Sequence, residues 1–399
     1  MARLQLNVTC PINFLGYGQA STNILDGLDQ NDVLISLFPI NPQNMEAHSK
    51  HHKLIHMCME NARDFDYNAD SLLIWHQFAM ERHVGHGYKI GFPFFELNKF
   101  NDLEKHNLNY LDKIFIASNW AADIVKQNGI EVKTHLIPLG VDRSIFKESS
   151  CPYLKDECIF LTVGKFEYRK GHDVVLKAFD RAFREDDKVV LWMMCDNPIT
   201  PSENIKWRDR ANSIKLNNKV KFIPRQSSSD DVARIMQMAD YGLFPARAEG
   251  WNMELLEMMS CGKKCIATNY SAHTEYCDDK NCELLNISEL EIANDGVYFN
   301  GFGEWAHFSD SIIDEMAQRM RNMYDRQQEI QDAIWTLQTY GRGRIVESAT
   351  VGPWIQIDHD REHVPKLQAA IQVLERHGMI ERHPTKGNPR NVRIVRVAK

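Results

Sequence analysis

Long hydrophobic runs are missing from this chain. No stretch approaches the roughly 20 apolar residues that a membrane span needs. The first residues, MARLQLNVTCPINF, have neither the apolar core nor the small-residue cleavage site of a secretion signal, and they read as a first strand. Cysteine is present without forming a framework. Nine residues, an odd number spread over 399, read as reduced thiols of a cytoplasmic protein rather than as paired bridges. Cys261, Cys265, Cys277 and Cys282 fall near His273, but their spacings match no standard zinc pattern, so no metal site is expected.

What the chain does have is an ordinary globular composition, 43% hydrophobic and 25% charged. A length of 399 residues exceeds one core, which predicts two domains and a small extra module. The charge is unevenly placed. Residues 340–399 hold 11 Lys and Arg against 6 Asp and Glu, which leaves the first 339 residues at −12 of the total −7. A basic tail on an acidic body points to a separate partner for the tail.

Along the body, short apolar runs alternate with helical periods. LQLNVT, DVLISLFPI, SLLIWH, YKIGFPFF, DKIFIAS and KTHLIPLG read as strands of a first unit. The polar stretch 141–157 reads as a linker, after which CIFLTVG, KVVLWMMC, KVKFIPR, YGLFPA and KKCIAT form a second series. Strands alternating with helices predict parallel sheets covered on both faces. The expected boundaries are 1–145 and 146–325 for two Rossmann-like domains facing a cleft, and 326–399 for a helical connection and basic tail. In that tail, VPKLQAAIQVLERHGMI reads as a helix and the residues after it as a basic hairpin. Helix plus hairpin is the outline of a winged helix, which places DNA among the expected partners through 340–399. Docking of the same helix and hairpin on the body is the other reading.

Three stretches carry the chemistry. LTVGKFEYRKGHDVVLKAF holds Lys165, Arg169 and Lys170 just after a strand. ARAEGWNMELLEMMSCG holds Glu249 before a helix and Glu257 within it, eight positions on. PINFLGYGQASTNIL carries Gly16, Tyr17 and Gly18 at the first strand–helix turn, where backbone N–H groups can meet an anion or a sugar. Together they resemble the GT-B glycosyltransferases of the GT4 type, over roughly residues 5–325. That resemblance implies an α/β GT-B fold and a nucleotide-sugar donor, UDP- or GDP-linked, with no other cofactor. It implies retention of anomeric configuration without a metal.

Residue by residue, the resemblance implies that Lys165 and Lys170 neutralise the leaving diphosphate, with Arg169 as a third cation. Lys165 stands where Arg is common, keeping the charge without the bidentate fork. Glu249 is implied to contact donor-sugar hydroxyls. The N–H groups of Gly250, Trp251, Asn252 and Met253 open a helix toward phosphate. Glu257 is placed to accept the two ribose hydroxyls. Asn252 stands where Gly is frequent. Glu254 is expected to point away from the diphosphate, which it would repel. Arg225, in FIPRQSS, is a candidate for stacking or phosphate contact beside the nucleobase. On the acceptor side the candidates are His76, the pair His83 and His86, and Glu96.

Three functions follow. The leading one is transfer to a hydroxymethylated base in DNA, as a viral enzyme in a host cytoplasm would perform, with the base flipped into the cleft. The second is cytoplasmic glycan assembly on a saccharide or lipid-linked acceptor. The third is a DNA-binding regulator that senses a nucleotide sugar.

Overall fold

The strand–helix alternation folds into two parallel sheets. The computed structural model describes residues 3–40, 50–148, 156–340, 344–348, 352–356, 364–382 and 391–394. In the first sheet β1 (Gln5–Pro11), β2 (Leu34–Ile40), β3 (Asp70–Trp75), β4 (Lys89–Pro93), β5 (Lys113–Ile116) and β6 (Thr134–Leu136) run parallel in the order β2-β1-β3-β4-β5-β6. Helices α1 (Gly16–Gln30), α2 (His52–Asn61), α3 (Asp102–Asn109) and α4 (Asn119–Gln127) connect them. Central strands are buried on both faces, as the apolar run of β1 requires.

The second sheet repeats the plan. β7 (Cys158–Lys165), β8 (Val189–Asp196), β9 (Val220–Phe222), β10 (Tyr241–Phe244), β11 (Lys264–Asn269) and β12 (Glu283–Asn286) lie parallel in the order β12-β11-β10-β7-β8-β9. Its helices are α5 (His172–Ala182), α6 (Pro201–Asn212), α7 (Ser229–Met238) and α8 (Met253–Ser260). Each sheet therefore has one point where the strand order reverses, between β1 and β3 and between β7 and β10. A crevice opens outside the carboxyl ends of the strands there.

A hairpin follows that the sequence reading did not contain, β13 (Leu290–Asn294) paired antiparallel with β14 (Asn300–Ala306). It bridges the domains: Asn98 Nδ2 donates to Glu304 Oε2 at 3.1 Å, and Glu304 N donates to Asn98 Oδ1 at 2.9 Å. Other contacts tie the two sheets together. Trp251, Met253 and Ala272 of the second domain share a hydrophobic cluster with Val8, Phe92 and Phe94 of the first.

The expected boundary at 325 falls inside one continuous helix, α9 (Asp310–Tyr340). Its first half packs on the second domain through Ile312, Met316 and Met320. Its second half leaves that core, and Ile330, Ala333 and Leu337 pack against Leu367, Ala370 and Leu374 of α10 (Val364–Arg376). Four short strands, β15 (Arg344–Ser348), β16 (Gly352–Gln356), β17 (Ile380–Arg382) and β18 (Asn391–Ile394), form an antiparallel sheet in the order β15-β16-β18-β17. The expected helix and hairpin strands are thus present, joined by two strands that were not expected. The hairpin turn, 383–390, and with it Lys386 and Arg390, lies outside the described residues. α10 is not a basic helix: it carries Lys366 and Arg376 against Glu375, and Arg376 is paired with Glu329 of α9 at 2.6 Å. Among the described residues no helix is long and apolar enough to cross a membrane.

Candidate functional site: the cleft between the two sheets

Both switch points open into one cleft of about 1290 Å³. From the first domain it receives the turn after β1 and the residue after β3. Gly18 is required for that turn, because a Cβ there would lie 1.9 Å from Asn13 O, whereas a Cβ on Gly16 would meet nothing within 4 Å. α1 starts at Gly16 without a side-chain cap, so its first N–H groups stay available at the cleft.

Tyr17 does not offer its hydroxyl to a ligand. The hydroxyl donates to Phe94 O at 2.6 Å and lies 3.1 Å from His76 Nδ1. Since the hydroxyl proton is committed to Phe94, Nδ1–H must be the donor to the tyrosine oxygen, and Nε2 keeps the lone pair. Burial, with Lys165 and Arg169 nearby, pushes the His76 pKa down to about 4, so the ring is neutral at pH 7. His76 and Glu96 both line the cleft. His83 and His86 do not: His83 Nδ1 lies 2.9 Å from Ser71 Oγ, and the His86 ring packs on Tyr67.

The second domain contributes two loops that clasp each other. Arg247 N donates to Arg169 O at 2.7 Å, and Arg247 Nη1 donates to Tyr168 O at 2.8 Å. In return Arg169 Nη1 donates to Ala248 O at 2.7 Å. The Arg247 guanidinium is 3% exposed and grips Asp173 with two nitrogens at 2.9 and 3.0 Å. The clasp fixes Glu249, whose carboxylate lies 2.8 Å from Arg169 Nη1 and 2.9 Å from Lys170 Nζ. Burial opposes its charge, but Arg169 and Lys170 override that and hold its pKa down at about 2. Arg169 also meets Glu167 at 2.9 Å and Glu96 at 3.8 Å. Lys165 pairs with Glu167 at 2.5 Å and lies 4.6 Å over the Tyr298 ring, which the hairpin brings in.

Four carboxylates, Glu96, Glu167, Glu249 and Glu254, therefore meet three cations, Lys165, Arg169 and Lys170. Burial, together with Glu249 and Glu167, raises the pKa of Glu96 against the pull of Arg169. Burial and Glu254 push Glu257 well above the usual carboxylate range, and no cation pairs with it among the described residues. Glu254 departs from expectation. It does not point away but lines the cleft 3.6 Å from Lys170, whose charge attracts it.

The α8 start explains an odd letter. Asn252 has φ 73 and caps the helix, its side chain accepting from Leu255 N at 3.3 Å. Left-handed backbone normally selects glycine, and asparagine is among the few side chains that tolerate it. Its amide nitrogen donates to His273 Nε2 at 2.9 Å, with His273 Nδ1 bonded to Thr268 O. His273 thus serves a hydrogen-bond chain. Gly250 lies where a Cβ would come within 3.2 Å of Phe94. Trp251 and Met253 send their side chains into the interdomain cluster, so only their backbones can face a ligand. Arg225 is also committed: Asp196 takes its Nε and Nη2, and its guanidinium lies 4.3 Å over Phe14 of the other domain.

Comparison with known proteins now places the fold. Residues 147–302 match the family model described as Glycosyl transferases group 1. An alpha-monoglucosyldiacylglycerol synthase of Streptococcus pneumoniae (strain ATCC BAA-255 / R6) is 22% identical over 201 residues, 47% of this chain. That match spans only 44% of the relative's length. Sucrose-phosphate synthase from Thermosynechococcus elongatus superposes with a TM-score of 0.55 at 12% identity, covering 84% of this chain and 99% of the other. Anabaena Alr3699/HepE in complex with UDP-glucose gives a TM-score of 0.56 at 15% identity, covering 81% and 89%. Residues 147–302 are thus similar to the glycosyl transferases group 1 family, and the two facing sheets share the fold of these solved structures.

Proposed function

We propose that the protein is a glycosyltransferase that moves a sugar from a nucleoside diphosphate sugar to an acceptor hydroxyl. One observation carries this reading. Lys165, Arg169, Lys170 and Glu249 stand at one switch point, His76 at the other and Glu96 just after the neighbouring strand β4, around a single cleft. A diphosphate lies against the three cations and the α8 start, its ribose against Glu257 and its sugar against Glu249. Binding displaces carboxylates from the cations: Glu254 gives up Lys170, and Glu167 shares Lys165 and Arg169.

Transfer proceeds with retention and without a metal. The bond from the anomeric carbon to the phosphate oxygen breaks, and its electron pair leaves with the diphosphate. The acceptor oxygen attacks on the same face and gives its proton to a departing phosphate oxygen. Lys165, Arg169 and Lys170 stabilise the charge that develops, the largest contribution in reactions of this kind. The donor base is uracil or guanine.

The acceptor has two readings. A saccharide or lipid-linked acceptor is supported by the name of the pneumococcal relative and by the carboxylates Glu96, Glu104 and Glu254 along the cleft, which repel a polyanion. Transfer to a hydroxymethylated base in DNA is supported by the excess of five positive charges in residues 340–399. The deciding experiment supplies radiolabelled nucleotide sugars with a glycoside panel and with hydroxymethylcytosine-containing duplex, using the full chain and a chain ending at Tyr340. Label in the glycosides, unaffected by truncation, supports the first reading. Label in the duplex that truncation removes supports the second.

A further inference from the structure

Beside His76 the cleft is lined by Gln77 and Phe78 of the turn Gln77–Ala79, by Leu97 and Lys99–Asn101 and by the hairpin residue Phe302, together called the wing. Two side chains of α3 fasten that turn. Gln77 Nε2 donates to Glu104 Oε1 at 2.9 Å, and Asn107 Nδ2 donates to Phe78 O at 2.6 Å. Glu104 is itself locked in a reciprocal cap, accepting from Asn101 N at 2.7 Å and donating its own N–H to Asn101 Oδ1 at 2.9 Å.

This fixes which way the Gln77 amide faces. The Glu104 oxygens accept here, one of them from Asn101 N, so the NH₂ group faces Glu104 and the Gln77 oxygen faces away. Gln77 lines the cleft, and that oxygen, Oε1, is buried without a hydrogen-bond partner. A buried acceptor left unpaired costs free energy until a donor arrives. Beside it, Phe78 is 43% exposed, and its ring lies parallel to His76 at 5.1 Å and 11°. One face is taken and the other is open. Phe302 is 44% exposed in the same wing. Lys99 stands exposed at its edge with no ion-pair partner among the described residues.

We propose that this wing is an acceptor subsite for a pyranose ring, stacked on Phe78 and donating a hydroxyl hydrogen bond to Gln77 Oε1. The proposal rests on the donor reading above and names the acceptor class for it. A pyranose presents an apolar C–H face for an aromatic ring and hydroxyls for Gln77 and Lys99. An acyl chain leaves Gln77 Oε1 unpaired. A nucleic acid brings phosphates next to Glu104, where Lys99 is the one cation lining the wing among the described residues.

The test compares wild type with Phe78→Ala and Gln77→Leu in two measurements. The first is calorimetric titration with UDP and GDP. The second is transfer from radiolabelled nucleotide sugars to 4-nitrophenyl pyranosides, to diacylglycerol vesicles and to hydroxymethylcytosine duplex. The expected result is transfer to a pyranoside, with its KM raised roughly tenfold in each variant while nucleotide Kd stays within about twofold. Unchanged KM in both variants, or transfer confined to vesicles or duplex, overturns the subsite and leaves the donor reading standing. A wild-type protein that binds neither nucleotide overturns both.

Discussion

Arg169 Nη1 and Glu249 Oε2 lie 2.8 Å apart inside a wall where the glutamate is 4% exposed. A buried pair of this kind is costly to break from one side, because the partner is left charged and unpaired. Glu249→Gln should therefore lose about 3 kcal/mol of stability at pH 7, and transfer should fall by about 100-fold or more. The pH dependence has a defined sign. The folded pKa of about 2 lies below the ordinary 4.5, so the pairing stabilises fully above 4.5 and is lost as pH falls toward 2. Urea unfolding of wild type and variant should show a gap at neutral pH that closes over that window.

Tyr17 braces His76 rather than a ligand. Tyr17→Phe keeps the ring contacts with Trp75, His76 and Phe94 but removes the hydroxyl that fixes the His76 tautomer. We expect kcat to fall about tenfold with donor Kd unchanged, and stability to fall by about 1 kcal/mol. A rise in KM alone would show that Tyr17 acts on binding instead.

Glu257 carries a stability cost. An acid whose folded pKa is raised opposes folding once the pH exceeds its unfolded value, 4.5. Glu257→Gln should stabilise the ligand-free protein at pH 7 by on the order of 1 kcal/mol, and the two proteins should converge below pH 4.5. The same change should weaken nucleoside diphosphate binding about tenfold or more. Thermal unfolding with and without nucleotide reads both effects.

Gly171 has φ 73, and a Cβ there would sit 1.9 Å from Pro245 O. Gly171→Ala must move the clasp between the two loops, so we expect a loss of about 3 kcal/mol or more by urea unfolding. Loss of under 1 kcal/mol would show that the loops separate easily.

That Lys165, Arg169, Lys170, Glu249 and Glu257 line one cleft was legible because they are local in the sequence. Lys165, Arg169 and Lys170 follow one strand, and Glu249 and Glu257 flank one helix start. The residues that support them were not legible, because their partners are distant in sequence. Arg247 reads as one more surface arginine until Asp173 and Tyr168 are seen beside it. Tyr17 reads as part of a glycine turn, Trp251 as a backbone N–H donor at the α8 start and Arg225 as a group for stacking or phosphate contact. Their assignments depend on Phe94, the interdomain cluster and Asp196. The hairpin does leave a sequence signal: Asp295-Gly296, a turn dipeptide, falls between β13 and β14. Gln77 carries no motif, since what marks it is an oxygen without a partner.

Titration of UDP and GDP into wild type, Lys165→Ala and Glu257→Gln tests the central claim most directly. The account predicts that one nucleotide binds the wild-type protein and that each substitution weakens it about tenfold or more. Binding of neither nucleotide, or equal affinity across the three proteins, would contradict the placement of a nucleoside diphosphate along this wall.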